Sequence, residues 1–205
     1  MMKILLIHPR RRDKYNYTGS INKAYIPPLT LPVLAGLTPK NIDIELCDES
    51  VDDVDFNTDA DLIGITGMTS QINRGYEIAD TFRKKGKKVI MGGIHISAMP
   101  REAKDHADSI LIGEAEDLWE RIIEDVRNNR LEEEYRADTR PDFNKLIIPR
   151  YDLLKLNRYR SSSGTNIPRL PLQTTRGCPF NCKFCSVTKF WGPKIRMKPL
   201  ENVEK

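Results

Sequence analysis

Five short apolar runs constrain this chain more than any other feature. They are Lys3–His8, Ile42–Asp48, Asp61–Thr66, Lys88–Gly93 and Ser109–Gly113. Most are apolar at consecutive positions, the pattern of strands covered by helices on both faces. The second run alternates, Ile-Asp-Ile-Glu-Leu-Cys-Asp, and reads as a strand near an edge. Helical patterns fill the gaps. Pro28–Gly36 reads as a short helix with prolines at its start. Ile72, Tyr76, Ala79 and Phe82 recur at helical spacing, with Thr69 or Ser70 as an N-cap and Gly86 as a stop. Leu118, Ile122 and Val126 repeat the pattern, with Asp117 near the start. The alternation predicts an α/β fold, a doubly wound parallel sheet of five strands over residues 1–129. Such sheets bind ligands beyond the carboxyl ends of their strands, where the strand order reverses.

After residue 130 the pattern changes. Residues 130–169 lack a long amphipathic period, carry Pro141, Pro149, Pro168 and a Ser161–Gly164 run, and read as a surface connector. Leu170–Thr175 reads as a new strand, and Lys198–Lys205 as the first turns of a helix with Pro199 at its first position. A strand, a loop and two helical turns cannot bury a core of their own. Residues 170–205 therefore read as the start of a second domain, and the chain as the front part of a longer protein.

Charged residues make up 30% and hydrophobic residues 39% of the chain, as in an ordinary globular protein. No apolar run approaches the ~20 residues of a membrane helix. The apolar core of Met1–His8 is too short for a signal peptide. The expected location is cytoplasmic and reducing, where clustered cysteines serve metal or redox chemistry rather than disulfides. The net charge of +4 is unevenly spread: residues 1–129 carry 17 Lys and Arg against 21 Asp and Glu, while residues 130–205 carry 16 against 8. The basic residues are scattered without interleaved aromatics, which argues against nucleic acid as a partner.

Three of the chain's 4 cysteines lie in Cys178-Pro-Phe-Asn-Cys182-Lys-Phe-Cys185. Three thiolates closing on one loop suit three irons of a four-iron cluster and leave the fourth iron open to a ligand. Structural zinc wants four ligands, usually in separated pairs. The remaining thiol, Cys47, falls on the second strand and reads as a small core residue.

The spacing at Cys178, Cys182 and Cys185, with aromatic Phe184 before the last cysteine, resembles the signature of radical S-adenosylmethionine enzymes. The resemblance implies a [4Fe–4S] cluster on these cysteines, with S-adenosylmethionine on the open iron. It further implies reductive cleavage to a 5′-deoxyadenosyl radical, fed by an electron donor such as a flavodoxin or ferredoxin. The family's cysteine loop follows the first strand of a (β/α) barrel, the place taken here by Leu170–Thr175. Residues 1–128 resemble the Rossmann-like cobalamin-binding domain that precedes the barrel in one large branch of that family. Its markers here are Gly64-Ile-Thr66-Gly67-Met68-Thr69-Ser70-Gln71, Gly92-Gly93-Ile-His95 and Gly113-Glu114-Ala-Glu116, all after strands. The resemblance makes Thr66, Gly67, Met68, Thr69, Ser70, Gly92, Gly93, His95, Gly113 and Glu114 candidate cobalamin contacts, and Phe184 a contact at the cluster.

Each has a plainer reading. Thr69 and Ser70 serve equally as helix caps, Gly92-Gly93 as a strand-end turn, His95 as a packed histidine and Glu114 as a favourable charge near a helix start. One departure is informative. Cobalamin domains that ligate cobalt through histidine carry Asp-x-His-x-x-Gly after the first strand, whereas this chain has Leu6-Ile-His8-Pro-Arg-Arg11. The expectation is cobalamin bound without its own base and without a His8–cobalt bond, its lower face left to His95, Met68, water or nothing.

The resemblance implies methyl transfer to a small-molecule substrate. Its alternatives are radical rearrangement or oxidative cyclisation, and a non-catalytic cobalamin-binding module. The methylthio-transferring branch is set aside, because it needs three further cysteines before residue 170 and only Cys47 is there.

Overall fold

The computed structural model describes residues 2–11, 24, 26–145, 147–159 and 169–204. Strands β1 (Lys3–His8), β2 (Asp43–Asp48), β3 (Leu62–Thr66), β4 (Lys88–Gly92) and β5 (Ser109–Ile112) match the five apolar runs. A sixth strand, β6 (Glu134–Arg136), joins them in a sheet of order β2-β1-β3-β4-β5-β6 with every pairing parallel. The order reverses between β1 and β3, as in doubly wound folds. The alternating second run does lie at an edge.

The expectation of five strands is thus corrected to six, and the added strand comes from the stretch read as connector. Its Glu-Tyr-Arg sequence holds one apolar residue and leaves no run to detect. Tyr135 is buried, and its hydroxyl donates to Asp125 Oδ2 at 2.8 Å. Parallel pairing with β5 holds β6 in the sheet, and that contact ties it to the helix over Trp119–Arg127.

Helices cover both faces. On one, α2 (Ile72–Lys84) buries Ile72, Tyr76, Ile78, Ala79 and Phe82 against Ile63, Ile65 and Met91. Two one-turn helices lie on that side, α3 (Ile94–Ala98) and α4 (Pro100–Lys104), too short to show a period in the sequence. On the other, α1 (Thr30–Leu37) and α5 (Trp119–Arg127) pack Leu31, Ala35, Trp119 and Ile122 against Ile4, Leu6, Leu62 and Ile90. Neither α2 nor α5 has a side-chain N-cap; Gln71 and Leu118 occupy the cap positions, so Thr69, Ser70 and Asp117 do not cap.

The stretch after β6 lies along the α1 side and is anchored to it. It passes through single turns at Tyr151–Leu153 and Leu156–Arg158. Arg150 N–H donates to Pro32 O at 2.9 Å, Leu154 enters the core, and Lys155 and Arg158 pair with Asp52. The Ser161–Gly164 run and Pro168 lie outside the described residues.

The strand expected at Leu170–Thr175 shrinks to β7 (Thr175–Arg176), which pairs antiparallel with β8 (Arg196–Met197). A strand extends only as far as a neighbour offers backbone partners, and among the described residues β8 alone does so. Between them the loop carries the three cysteines and helix α6 (Val187–Trp191); α7 (Leu200–Val203) follows, with Pro199 one position ahead of it. No helix among the described residues is long and apolar enough to cross a membrane.

Candidate functional site

Because β1, β3, β4 and β5 run parallel, the loops that leave them gather at one edge of the sheet. The register puts Thr66 beside Gly92, and Gly92 beside Leu111. A cavity of about 380 Å³ opens there and runs down between the sheet and helices α1 and α5. Its deep wall is apolar: Leu6, Leu31, Leu34, Ile90, Leu111 and Trp119. Trp119 is fixed by its indole N–H, which donates to Thr38 Oγ1 at 2.9 Å, while that hydroxyl donates to Leu34 O at 2.8 Å.

Glycine makes the room. Gly64 sits mid-strand in β3, and a Cβ there would meet Leu6 Cδ2 at 2.6 Å, with Trp119 and Ile90 within 4 Å. A strand interior normally favours a side chain, so glycine here marks a place where something else approaches. Gly93 closes β4 at φ 104° and ψ −173°, backbone that is open essentially to glycine alone. An added Cβ would lie 2.8 Å from Thr66 Oγ1.

Of the expected cofactor contacts, Thr66, Gly67, Met68, Gly92, Gly93, Gly113 and Glu114 line this cavity. Met68 is exposed at its mouth. Thr69, Ser70, His95 and Phe184 do not line it. His95 Nδ1 and Thr69 Oγ1 are 3.0 Å apart, and the ring packs 6.4 Å from Tyr76 on the α2 side of the sheet. That places His95 behind the cavity as a packed histidine, away from any lower face presented there. Its Nε2 is buried without a hydrogen bond, 3.7 Å from a Glu102 oxygen.

His8 lines the cavity, but its ring is engaged on both sides. Nδ1 lies 3.5 Å from Asp48 Oδ1, and Gln71 Nε2 lies 3.2 Å from Nε2. Gln71 is itself anchored, donating to Pro9 O at 2.7 Å and accepting from Met68 N–H at 2.9 Å. Sequence reasoning passed over Gln71, taking it as the end of a marker and not as a brace.

Glu114 does not face the cavity as a free acid. Its carboxylate, 1% exposed, accepts from Arg176 Nη1 and Arg196 Nη2, each at 2.6 Å. Arg140 lies 3.4 Å away, and Glu116 pairs with Arg176 at 2.5 Å. These contacts bring the cysteine loop to the cavity, where Gln173, Arg176, Phe190 and Trp191 complete the mouth. No sequence signal marked those four as cavity residues, since they are distant along the chain.

Cys182 and Cys185 flank one turn, and Cys178 precedes it on the same loop. Cys185 N–H donates to Cys182 O at 3.1 Å, and Cys178 N–H to Gly192 O at 3.2 Å. Among the described residues no three His, Cys, Asp or Glu side chains converge on a metal position, so the loop supplies thiols of the right kind without gathering them. Phe184 beside them is 93% exposed. Cys47 is the core thiol expected: it is buried, its S–H donates to Asp53 O, and burial pushes its pKa up to about 12.

Residues 23–123 match the family model described as the B12 binding domain. The chain belongs to the B12-binding-domain family. Within this family it is 43% identical over 172 residues to the bacteriochlorophyllide d C-8(2)-methyltransferase of Chlorobaculum tepidum, covering 83% of this chain and 38% of that one. It is 33% identical to an uncharacterized methyltransferase of Synechocystis, covering 96% of this chain and 37% of the relative. A hopanoid C-2 methylase of Rhodopseudomonas palustris is 26% identical over 88% of this chain and 34% of its own length. The chain thus spans under two fifths of the length of these relatives. The B12-binding match takes in the loops after β3, β4 and β5 that form the cavity mouth, and ends before the cysteine loop.

Proposed function

We propose that this chain supplies the cobalamin site and the cluster-bearing loop of a methyltransferase that uses radical S-adenosylmethionine chemistry. The observation that carries the reading is the apolar cavity at the strand ends with the three-cysteine loop seated at its mouth. A cavity of about 380 Å³ is near the lower end of the ~300–1,000 Å³ typical of ligand pockets. It suits one end of a large cofactor, such as the nucleotide tail of cobalamin, rather than the whole corrin. Gly64 and Trp119 shape the slot, while Thr66, Gly67, Gly92 and Gly93 let a broad ring approach backbone at the mouth.

The protein's part is placement: it holds the tail in the slot, keeps His8 engaged with Asp48 and Gln71, and presents three thiols where a cluster can form. The cofactors supply methyl transfer and hydrogen abstraction. The engaged His8 supports cobalamin held with neither its own base nor this histidine on cobalt.

Methyl transfer is favoured over rearrangement and cyclisation because the relatives above are named as methyltransferases or methylases. Two of the names specify bacteriochlorophyllide d and hopanoids, which are bulky ring systems. The proposed substrate class is accordingly a large, largely apolar polycycle.

The test is anaerobic reconstitution with hydroxocobalamin, iron and sulfide, followed by an assay for 5′-deoxyadenosine from S-adenosylmethionine. The expected result is one cobalamin per chain and cleavage that requires all three loop cysteines. Cobalamin uptake with no cleavage favours the binding-module reading for this chain, and failure to bind cobalamin overturns the proposal. Paramagnetic resonance of the bound cob(II)alamin is expected to show no nitrogen splitting; a splitting that disappears in His8→Ala would place His8 on cobalt.

A further inference from the structure

The hairpin that carries the cysteine loop contains a conflict. In the β7–β8 pair, Arg176 stands directly opposite Arg196. Like charges facing each other across an antiparallel pair are destabilising, and each strand is only two residues long. Such a ribbon has little stability of its own in water. What holds it is outside it: Glu114, from the loop after β5, accepts a hydrogen bond from each arginine at 2.6 Å, one on each carboxylate oxygen. The acid's side chain is 1% exposed, and the arginines' are 11% and 18% exposed. Phe143 backs the cluster, with the Arg176 and Arg196 guanidiniums 4.9 and 5.8 Å from its ring centre. Arg140 reaches from Glu114 to Phe190 O on α6, tying the far side of the loop to the same acid.

We propose that Glu114 is a positioning residue: its carboxylate neutralises the opposed Arg176–Arg196 pair and thereby seats the cysteine loop over the cavity mouth. The inference rests on the proposed function for its purpose, namely fixing the separation between a cluster and a cofactor. It rests on the geometry alone for its existence. A buried acid stripped of its charge leaves Arg196 without a carboxylate and Arg176 with Glu116 alone, a larger loss than a surface ion pair represents. Gly177 and Cys178 follow Arg176 directly, so a shift of that arginine moves the first thiol.

The test needs no cofactor, so its outcome is separable from the cobalamin and cluster assays. Hydrogen exchange followed by mass spectrometry compares the full 205-residue chain with Glu114→Gln, Arg196→Gln and the double variant. Glu114→Gln is expected to speed exchange over residues 174–198 by about tenfold or more while β3 and β4 keep their protection. The double variant is expected to recover much of that loss, because removing one arginine removes the repulsion; a residue acting by packing alone predicts no such rescue. Unchanged exchange in Glu114→Gln, equal loosening of the sheet strands, or a double variant no better than the single overturns the proposal. Should Glu114→Gln fail to fold, a folded double variant with a protected loop supports it, and failure of both overturns it.

Discussion

Tyr159 donates its hydroxyl hydrogen to Asp48 Oδ2 at 2.7 Å, joining residues 111 apart in the chain. Asp48 ends β2, and Tyr159 ends the second of the two single turns after β6. The contact ties that stretch to the same sheet edge where Asp48 faces His8. Burial alone would raise the Asp48 pKa. Its hydrogen bonds from His8, the Ser50 N–H and Tyr159 outweigh this and hold it below the usual carboxylate value.

The sign of the pH effect follows. A carboxyl depressed in the folded state contributes stability that is fully present above its unfolded pKa, ~3.9, and is lost as pH falls through the lower folded value. In urea titrations, Asp48→Asn is expected to be less stable than the native chain near neutrality. The gap should close below about pH 4. Tyr159→Phe should cost about 1.5–3 kcal/mol at neutral pH, the range for a hydrogen bond to a charged group. A gap that persists into strong acid would show that Asp48 acts by packing.

Gly64→Leu is expected to abolish cobalamin uptake, since its side chain fills the slot between Leu6, Ile90 and Trp119. The sheet should survive, because the nearest atom is the movable end of Leu6. A visible spectrum after gel filtration with hydroxocobalamin reads binding, and circular dichroism reads the fold. Normal uptake would place the cofactor elsewhere.

Gly93→Ala should destabilise the protein by about 1–3 kcal/mol, the cost of forcing a side chain into that backbone region, before any displacement of Thr66. The measurement is the urea midpoint without cofactor. A change under about 0.5 kcal/mol, ordinary for neutral surface substitutions, would show that the strand end relaxes.

Thiol chemistry separates the cysteines. Cys47 is buried, and its pKa is pushed up to about 12, while reactivity requires exposed thiolate. Metal-free native protein treated with iodoacetamide at mildly alkaline pH should take up three adducts quickly, on Cys178, Cys182 and Cys185, and the fourth only on unfolding. Fast labelling of Cys47 in native protein would show that β2 opens.

The central strands were legible because strands buried on both faces must be apolar at nearly every position, a pattern that survives without structural knowledge. Helices α2 and α5 were legible for the same reason at a different period. The sixth strand was not, since Tyr135 is its one apolar residue and its place depends on pairing with β5 and contact with Asp125 of α5. Glu114 was marked by its motif, but its arginine partners were not legible, because they lie 62 and 82 residues further on. His95 carried the same risk: a histidine after a strand looks alike whether it turns toward the cavity or toward α2.

The amino-acid sequence by itself determined the class of the fold, the side of the sheet where the cavity opens and the identity of the three loop thiols. Each rests on local chemistry: hydrophobic period, strand direction and cysteine spacing. Tertiary structure alone decided which candidates share a cavity, that His8 is braced by Asp48 and Gln71, and that Glu114 serves the arginines. Those outcomes depend on contacts between residues distant in the chain, whose partners are chosen only when the sheet and its loops close together.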